Sequence, residues 1–176
     1  RAMPTHDTTA AQRFAAFAAS LNGAPLAPEV IHHAKRAIVD WYAALLPGAV
    51  QPPPTLLEQA LAEDLDHGGA RLALGRAATV RAAALINGTA AHTVEVDDIY
   101  REAIYHPGAP TIAAALALAQ ARKATGMDMI RAVVNLTAAS ILIAIGTSYK
   151  LPLSTTYVVF MVAMGSSLAD RSWGRD

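Results

Sequence analysis

The chain contains 176 residues, has no cysteine, and balances fourteen basic residues against fourteen acidic ones. The formal net charge of zero excludes the broadly positive surface of a protein that binds nucleic acids without sequence preference. The lack of cysteine excludes disulfides, thiolate nucleophiles and cysteine-held metal clusters.

The N-terminal part of the sequence predicts amphipathic helices separated by turns. Apolar residues recur at spacings of three and four over residues 14–21, which predicts a first helix. A second helix is expected to begin at Pro28, because proline suits the first helical position, and to end at residues 47–48, Pro-Gly. The three prolines at 52–54 predict a stiff connector, and residues 55–58 (Thr-Leu-Leu-Glu) have the spacing of a capping box that would start a third helix.

The central part of the sequence predicts further helices that are rich in alanine. Residues 66–69 (Asp-His-Gly-Gly) predict a turn, and helices are expected over about 77–94 and 110–125 and from Met127 to about Val134. Residues 1–131 show no clear period-two strand pattern. We therefore predict an all-α fold, a helical bundle whose many small side chains allow close helix packing.

Charge density changes abruptly near residue 131. Residues 132–176 contain five of the 28 charged residues, and Lys150 is the only one between 132 and 169. The two uncharged stretches on either side of it approach the length of about 20 residues that spans a bilayer. This tail predicts an apolar helical hairpin with its bend at 150–152, and membrane contact through 135–169 is the alternative to packing on the helical domain.

One segment concentrates side chains that could carry chemistry. Residues 92–106 include two histidines and four carboxylates. If the segment continues the preceding helix, His92 and Glu95 share a face, and so do Glu95 and Asp98. Like charges this close raise carboxylate pKa values in a partly buried site, which suits proton abstraction near neutral pH. A solvated acidic helix end and a metal site are the alternatives, and no histidine pair at i, i+4 favours the metal.

Residues 9–134 resemble the N-terminal part of the MmgE/PrpD family, which includes 2-methylcitrate dehydratases and cis-aconitate decarboxylases. The matching motifs follow one another in the family's order. They are residues 26–30 (Leu-Ala-Pro-Glu-Val), 84–92 (Ala-Leu-Ile-Asn-Gly-Thr-Ala-Ala-His), 95–98 (Glu-Val-Asp-Asp) and 106–109 (His-Pro-Gly-Ala).

The resemblance implies a helical domain that is joined, in full-length relatives, to a smaller α/β domain. It also implies a cofactor-independent lyase that removes a proton next to a carboxylate and expels water or CO2. The family's active-site positions correspond here to Glu95, Ile99 and His106, and Ile99 replaces a threonine that could donate a hydrogen bond. We predict His106, Glu95 and Asp98 as catalytic residues, His92, Asp97 and Asn87 as substrate-binding residues, and no metal and no cofactor.

Residues 135–176 resemble a segment of PiT-type inorganic phosphate permeases, chiefly through Pro152-Leu153-Ser154-Thr155-Thr156. We therefore predict two parts, an incomplete MmgE/PrpD-like domain over 1–134 and a permease-like tail over 135–176. The predicted function is that of a dehydratase fragment, inactive alone, acting on a small anionic carboxylate such as 2-methylcitrate. A membrane-associated permease remnant and a non-catalytic helical interaction module are the alternatives. A homodimer, a cytoplasmic location and no nucleic-acid partner are also expected.

Overall fold

A computed structural model describes residues 25–148 together with Ala16 and Ser20. The described residues are mostly helical, as expected, but they also include two short β-strands. Helices α1 to α5 span Pro28–Gly48, Pro52–Ala60, Val80–Thr93, Gly108–Arg122 and Gly126–Ser148, strands β1 and β2 span Leu65–Arg71 and Ala77–Ala78, and 3-10 turns cover Ala62–Asp64 and Arg101–Ala103.

The antiparallel pair β1–β2 corrects the expectation of an all-α fold and of a turn at residues 66–69. Leu65 and Ala70 both pair with Ala78, so the residues between them form a bulge. Gly68 adopts a φ of 94° there, and a Cβ on it would lie 2.4 Å from the Ala78 carbonyl oxygen. The bulge interrupts the alternation of buried and exposed residues, and a period-two search therefore does not detect this strand.

The start of α2 also differs from the prediction. The three prolines at 52–54 form the first turn of the helix rather than a connector, because the first helical positions need no N–H donor. The Thr55 hydroxyl lies inside the helix and donates to the carbonyl oxygens of Gln51 and Pro52, at 3.1 and 3.0 Å. The predicted capping box at residues 55–58 is therefore wrong.

The main core lies where α1, α3 and α4 meet. Trp41 and Leu45 of α1 pack with Ala90 of α3 and Ile112 of α4. Helices α1 and α3 approach so closely that a Cβ on Gly48 would lie 1.9 Å from the Ala90 carbonyl oxygen. The expectation of close packing through small residues is confirmed here.

These elements belong to one compact unit, Leu26–Thr137. The second unit, Arg1–Pro25 with Ala138–Asp176, is described only at a few positions and over the C-terminal part of α5. Of the helix expected at 14–21 the structure describes only Ala16 and Ser20, both helical, and the hairpin bend expected at 150–152 lies outside the described residues. Of the helices that the structure describes, none combines the length and apolarity needed to cross a membrane.

Candidate functional site

The acidic segment lies in a loop and not on a helix. Helix α3 ends at Thr93, whose hydroxyl donates to the Thr89 carbonyl oxygen at 2.7 Å. Glu95 then adopts a φ of 54°, in the left-handed region, which turns the chain away from the helix axis. The expectation that Glu95 and Asp98 share a helical face is therefore wrong.

A short closed turn then brings the chain back to His106. Tyr100 and Tyr105 form an antiparallel bridge, with N–H to carbonyl distances of 2.7 and 3.2 Å. Between them Ile104 adopts a φ of 46°, which is strained for a β-branched residue. Pro107 and Gly108 follow at once and start α4, so His106 is fixed between the bridge and the helix.

Asp97 is the acid that contacts the histidines. Its side chain is 1% exposed, and its Oδ2 lies 3.1 Å from His92 Nδ1 and 3.3 Å from His106 Nδ1. The two imidazole rings are adjacent, with their centroids 4.6 Å apart. His92 Nδ1 lies within hydrogen-bonding distance of Asp97, and the His92 tautomer with its proton on Nδ1 is the one that can donate to an ionised carboxylate there.

His106 is held less completely than His92. Its Nδ1 is buried and lies 3.3 Å from Asp97 Oδ2, yet it makes no hydrogen bond. Its side chain is 23% exposed. With Nδ1 buried, the ring can offer only Nε2 to a molecule outside.

Glu95 lies at the outer edge of this cluster. Its side chain is 73% exposed, and its Oε1 is 3.7 Å from His92 Nε2. His92 therefore has a carboxylate near each ring nitrogen, buried Asp97 on one side and exposed Glu95 on the other.

Asp98 points to a different partner. Both of its carboxylate oxygens accept the Gly108 backbone N–H, at 3.0 and 3.2 Å. Burial raises the pKa of the Asp98 carboxyl, and the negative charges of Asp97 and Asp40 add to the rise, while the Gly108 hydrogen bond and the nearby His106 oppose it. Asp98 therefore holds the start of α4 by its hydrogen bond and also lies close enough to His106 to interact with it electrostatically.

Asn87, predicted as a substrate-binding residue, faces the hairpin. Its Oδ1 accepts the Ala73 backbone N–H and its Nδ2 donates to the Arg71 carbonyl oxygen, both at 2.9 Å. Asn87 does not line the cleft described next. The structure does not bring it together with the histidines.

An open cleft of about 590 Å³ lies in front of the histidines. His92, Glu95 and His106 line it, and among the described residues its lining contains no Lys or Arg. Sequence reasoning missed three polar lining residues, Thr89, Thr93 and Tyr105. Thr89 lies three residues before His92 on the same helix, and this spacing places both on one face. The sequence could therefore have indicated Thr89 as a lining residue.

The three central residues have the ligand types of a metal site. One ligand atom each from His92, Asp97 and His106 lies within 4.8 Å of the others. The expectation of no metal rested on the spacing of ligands along a helix. The left-handed turn at Glu95 and the tyrosine bridge bring these ligands together instead, and no short sequence spacing signals such a fold.

The comparisons with known proteins agree with one of the two resemblances. No curated protein and no solved structure matches the chain. The family model described as the MmgE/PrpD N-terminal domain matches residues 12–169. This match continues past residue 134 through most of the predicted permease-like tail, and the permease resemblance has no support. Because the family model covers most of the sequence, the chain belongs to the MmgE/PrpD family.

Proposed function

We propose that the cleft is part of the active site of a lyase that dehydrates a small tricarboxylate-like substrate of the 2-methylcitrate type. The observation that carries the proposal is the buried Asp97 carboxylate, which lies 3.1 Å from His92 Nδ1 and 3.3 Å from His106 Nδ1 behind the cleft wall. Membership of the MmgE/PrpD family supports the reaction class.

His106 is the proposed base. The negative charge of Asp97 beside Nδ1 favours the tautomer with the ring proton on Nδ1, which leaves the lone pair of Nε2 directed outward. Nε2 takes a proton from the carbon next to a substrate carboxylate. The electron pair of that C–H bond forms a carbon–carbon double bond, and the hydroxyl on the adjacent carbon leaves with its bonding electrons. It takes a proton from solvent to become water, and His106 later returns its own proton to solvent.

The other predicted site residues take supporting roles in this proposal. His92 and Glu95 line the same wall and offer polar contacts to the substrate. Asp98 holds the first residue of α4 and acts on the chemistry through the position of His106 and through its electrostatic interaction with that ring. Asp97 orients the rings and does not meet the substrate, in contrast to its predicted binding role.

The described cleft wall is incomplete for a tricarboxylate. Three carboxylates are normally held by Arg or Lys, and the described lining offers neither. We therefore propose that this chain alone binds such a substrate weakly and does not complete the dehydration. The homodimer and the cytoplasmic location remain predictions.

Calorimetry with tricarballylate tests the binding step. This tricarboxylate has no hydroxyl to expel and therefore reports binding alone. We expect saturable binding that weakens at least tenfold when Glu95→Ala and His106→Ala are combined. The combination of Glu63→Ala with His67→Ala removes the same residue types outside the cleft and should leave the affinity unchanged. Absence of binding, or equal affinity in both double variants, would refute the site.

Proton transfer has a separate test. In D2O, 2-methylcitrate should slowly exchange the proton next to a carboxylate when the chain is present, and the signal loss can be followed by NMR. The exchange should disappear in His106→Gln. If the wild-type chain binds the substrate and exchanges no proton, the role of His106 as a base is refuted. Formation of the unsaturated product by this chain would refute the statement that it is inactive alone.

A further inference from the structure

We propose that His92, Asp97 and His106 bind a divalent transition-metal ion of the Zn²⁺ type, and that the bound ion changes the nitrogen that His106 presents to the cleft. Two imidazole nitrogens and one carboxylate oxygen suit zinc, cobalt or nickel, whereas Mg²⁺ and Ca²⁺ prefer oxygen ligands. One ligand atom from each residue lies within 4.8 Å of the others. The binding part of the proposal does not depend on the proposed function.

The spacing of the ligand atoms fits a tetrahedral ion. With bonds of about 2.0–2.1 Å to zinc, neighbouring ligand atoms of a tetrahedral site are about 3.3 Å apart. Asp97 Oδ2 lies 3.1 Å from His92 Nδ1 and 3.3 Å from His106 Nδ1. Two edges of the tetrahedron are therefore already close to the length that a tetrahedral ion needs. The third edge joins the two nitrogens, and a rotation of His92, which is 44% exposed, can adjust it.

An unsatisfied buried nitrogen gives an independent reason for an ion. His106 Nδ1 is buried without a hydrogen-bond partner, and such a group costs free energy unless something satisfies it. An ion between Nδ1 and Asp97 would satisfy it. The ion would also bring positive charge to the Asp97 carboxylate, whose side chain is 1% exposed. The described ion-pair partners of this carboxylate are the imidazoles of His92 and His106.

The surroundings of the three ligands resemble those of known metal sites. Metal-bound histidines commonly donate their second ring N–H to a carboxylate, which fixes the tautomer. Glu95 Oε1 lies 3.7 Å from His92 Nε2, on the side of the ring opposite Asp97. Asp97 does not line the cleft, so the ion would lie behind the cleft wall that His92 and His106 form.

Bound metal would reverse the role of His106, and this consequence rests on the proposed function. A neutral imidazole that binds an ion through Nδ1 carries its proton on Nε2. Nε2 then donates a hydrogen bond and has no lone pair to accept a proton. The same residue is therefore a base without the ion and a hydrogen-bond donor with it, so zinc should stop proton abstraction while leaving the cleft open to a carboxylate.

Titration with Zn²⁺ and Co²⁺ tests the site on the chain after treatment with a chelator. Calorimetry with Zn²⁺ should show a saturable site, and Co²⁺ should give the visible absorption of a four-coordinate ion. His92→Gln and Asp97→Asn each remove one ligand and should weaken binding at least tenfold, and Glu95→Gln should weaken it about tenfold through the outer shell. His67→Gln removes a histidine outside the cluster and should leave this site unchanged.

A measurement on the unsubstituted chain tests the same site even if the variants fail to fold. Zn²⁺ should shift the Nδ1 signals of His92 and His106 in side-chain nitrogen NMR spectra, and the signal of His67 should stay in place. Absence of saturable binding, or shifts confined to other histidines, would refute the metal site.

The outcomes also separate the two proposals. Zinc binding without tricarballylate binding refutes the proposed function and leaves the metal site standing, and the opposite result refutes the metal site alone. If both ligands bind, zinc should suppress the deuterium exchange described above. Exchange at an undiminished rate with the ion bound would refute the reversal of His106.

Discussion

The backbone N–H of Gly108 donates to both carboxylate oxygens of Asp98, at 3.0 and 3.2 Å. Gly108 is the first residue of α4, and His106 lies two residues before it. The positive end of the helix dipole and the free N–H groups of the first turn favour a carboxylate there. Asp98 therefore connects the acidic loop to the start of α4, just after the second histidine of the cluster.

The first prediction concerns this connection. In Gly108→Ala the new Cβ would lie 2.4 Å from Asp98 Oδ1, so the carboxylate must move away from the N–H. We expect a loss of about 1–3 kcal/mol in the free energy of unfolding, measured by urea denaturation, and a weaker affinity of the cleft for tricarballylate. Gly126→Ala is the matched control, because that glycine also begins a helix and has nothing within 4 Å of its added Cβ. Equal stability of the two variants would contradict the contact.

The second prediction concerns Asn87. Its amide holds the backbone at Arg71 and Ala73 through two hydrogen bonds of 2.9 Å. Asn87→Ala leaves both backbone groups without this partner, and we expect a loss of about 2–4 kcal/mol in urea denaturation. Asn87→Asp keeps an acceptor for the Ala73 N–H and should lose less. Binding of tricarballylate at temperatures where the variant stays folded should be unchanged, and a selective loss of binding would return Asn87 to the site.

The third prediction concerns the start of α5. Thr125 donates its N–H and its hydroxyl to Asp128 Oδ2, at 3.1 and 2.7 Å, and the Asp128 N–H donates back to Thr125 Oγ1 at 3.2 Å. Thr125→Ala should cost about 1 kcal/mol, and Thr125→Ser should retain most of the stability. Hydrogen exchange of the first turn of α5 should quicken in the alanine variant alone. Equal exchange in both variants would contradict the cap.

The fourth prediction concerns stability in acid. The Arg76 guanidinium, through its hydrogen bonds of 2.8 and 2.7 Å to Asp66, holds the pKa of that carboxyl below its ordinary value. The unfolded chain therefore binds more protons than the folded chain as pH falls. The stabilisation is complete above the unfolded pKa of about 3.9 and is lost as pH falls through the lower folded value.

Melting temperatures measured from pH 6 to pH 2.5 check this sign. In Asp66→Asn the melting temperature should fall less steeply at the acid end of this range. Asparagine tolerates the left-handed φ of 64° at this position. Glu63→Gln removes a nearby charge that is not paired with Arg76 and should leave the decline in place. A steeper decline in Asp66→Asn would contradict the ion pair.

Helical periodicity predicted a large part of the fold. Helix α1 begins at Pro28 and ends at Gly48 as expected, because the apolar stripe and the end signals agree there. The hairpin was missed because its bulge removes the period of two. The sequence predicted a capping box at Thr55, but the reciprocal hydrogen bonds form at Thr125. Both threonines are followed by an acidic residue three positions later, and only the fold decides which threonine precedes a helix.

The sequence predicted the segment that supplies the histidines and acids of the site, but it did not predict which acid contacts which histidine. The sequence placed two histidines and four carboxylates within a few turns, and the structure gathers His92, Asp97 and His106 from that group. Which acid contacts the rings depends on the left-handed residue at 95 and on the bridge between Tyr100 and Tyr105. Both are tertiary features of a loop, and helical periodicity has no bearing on them.

The contact between Gly48 and Ala90 affects the position of His92, although both residues lie outside the cleft. Any side chain at position 48 would meet the backbone of α3 only two residues before His92, with a Cβ 1.9 Å from the Ala90 carbonyl oxygen. The two helices would have to separate, and His92 would move with α3, whereas His106 lies in the loop before α4. The distance between the two rings is thus set partly by a residue that no substrate or ion could touch, and a search for the determinants of activity confined to the cleft would overlook it.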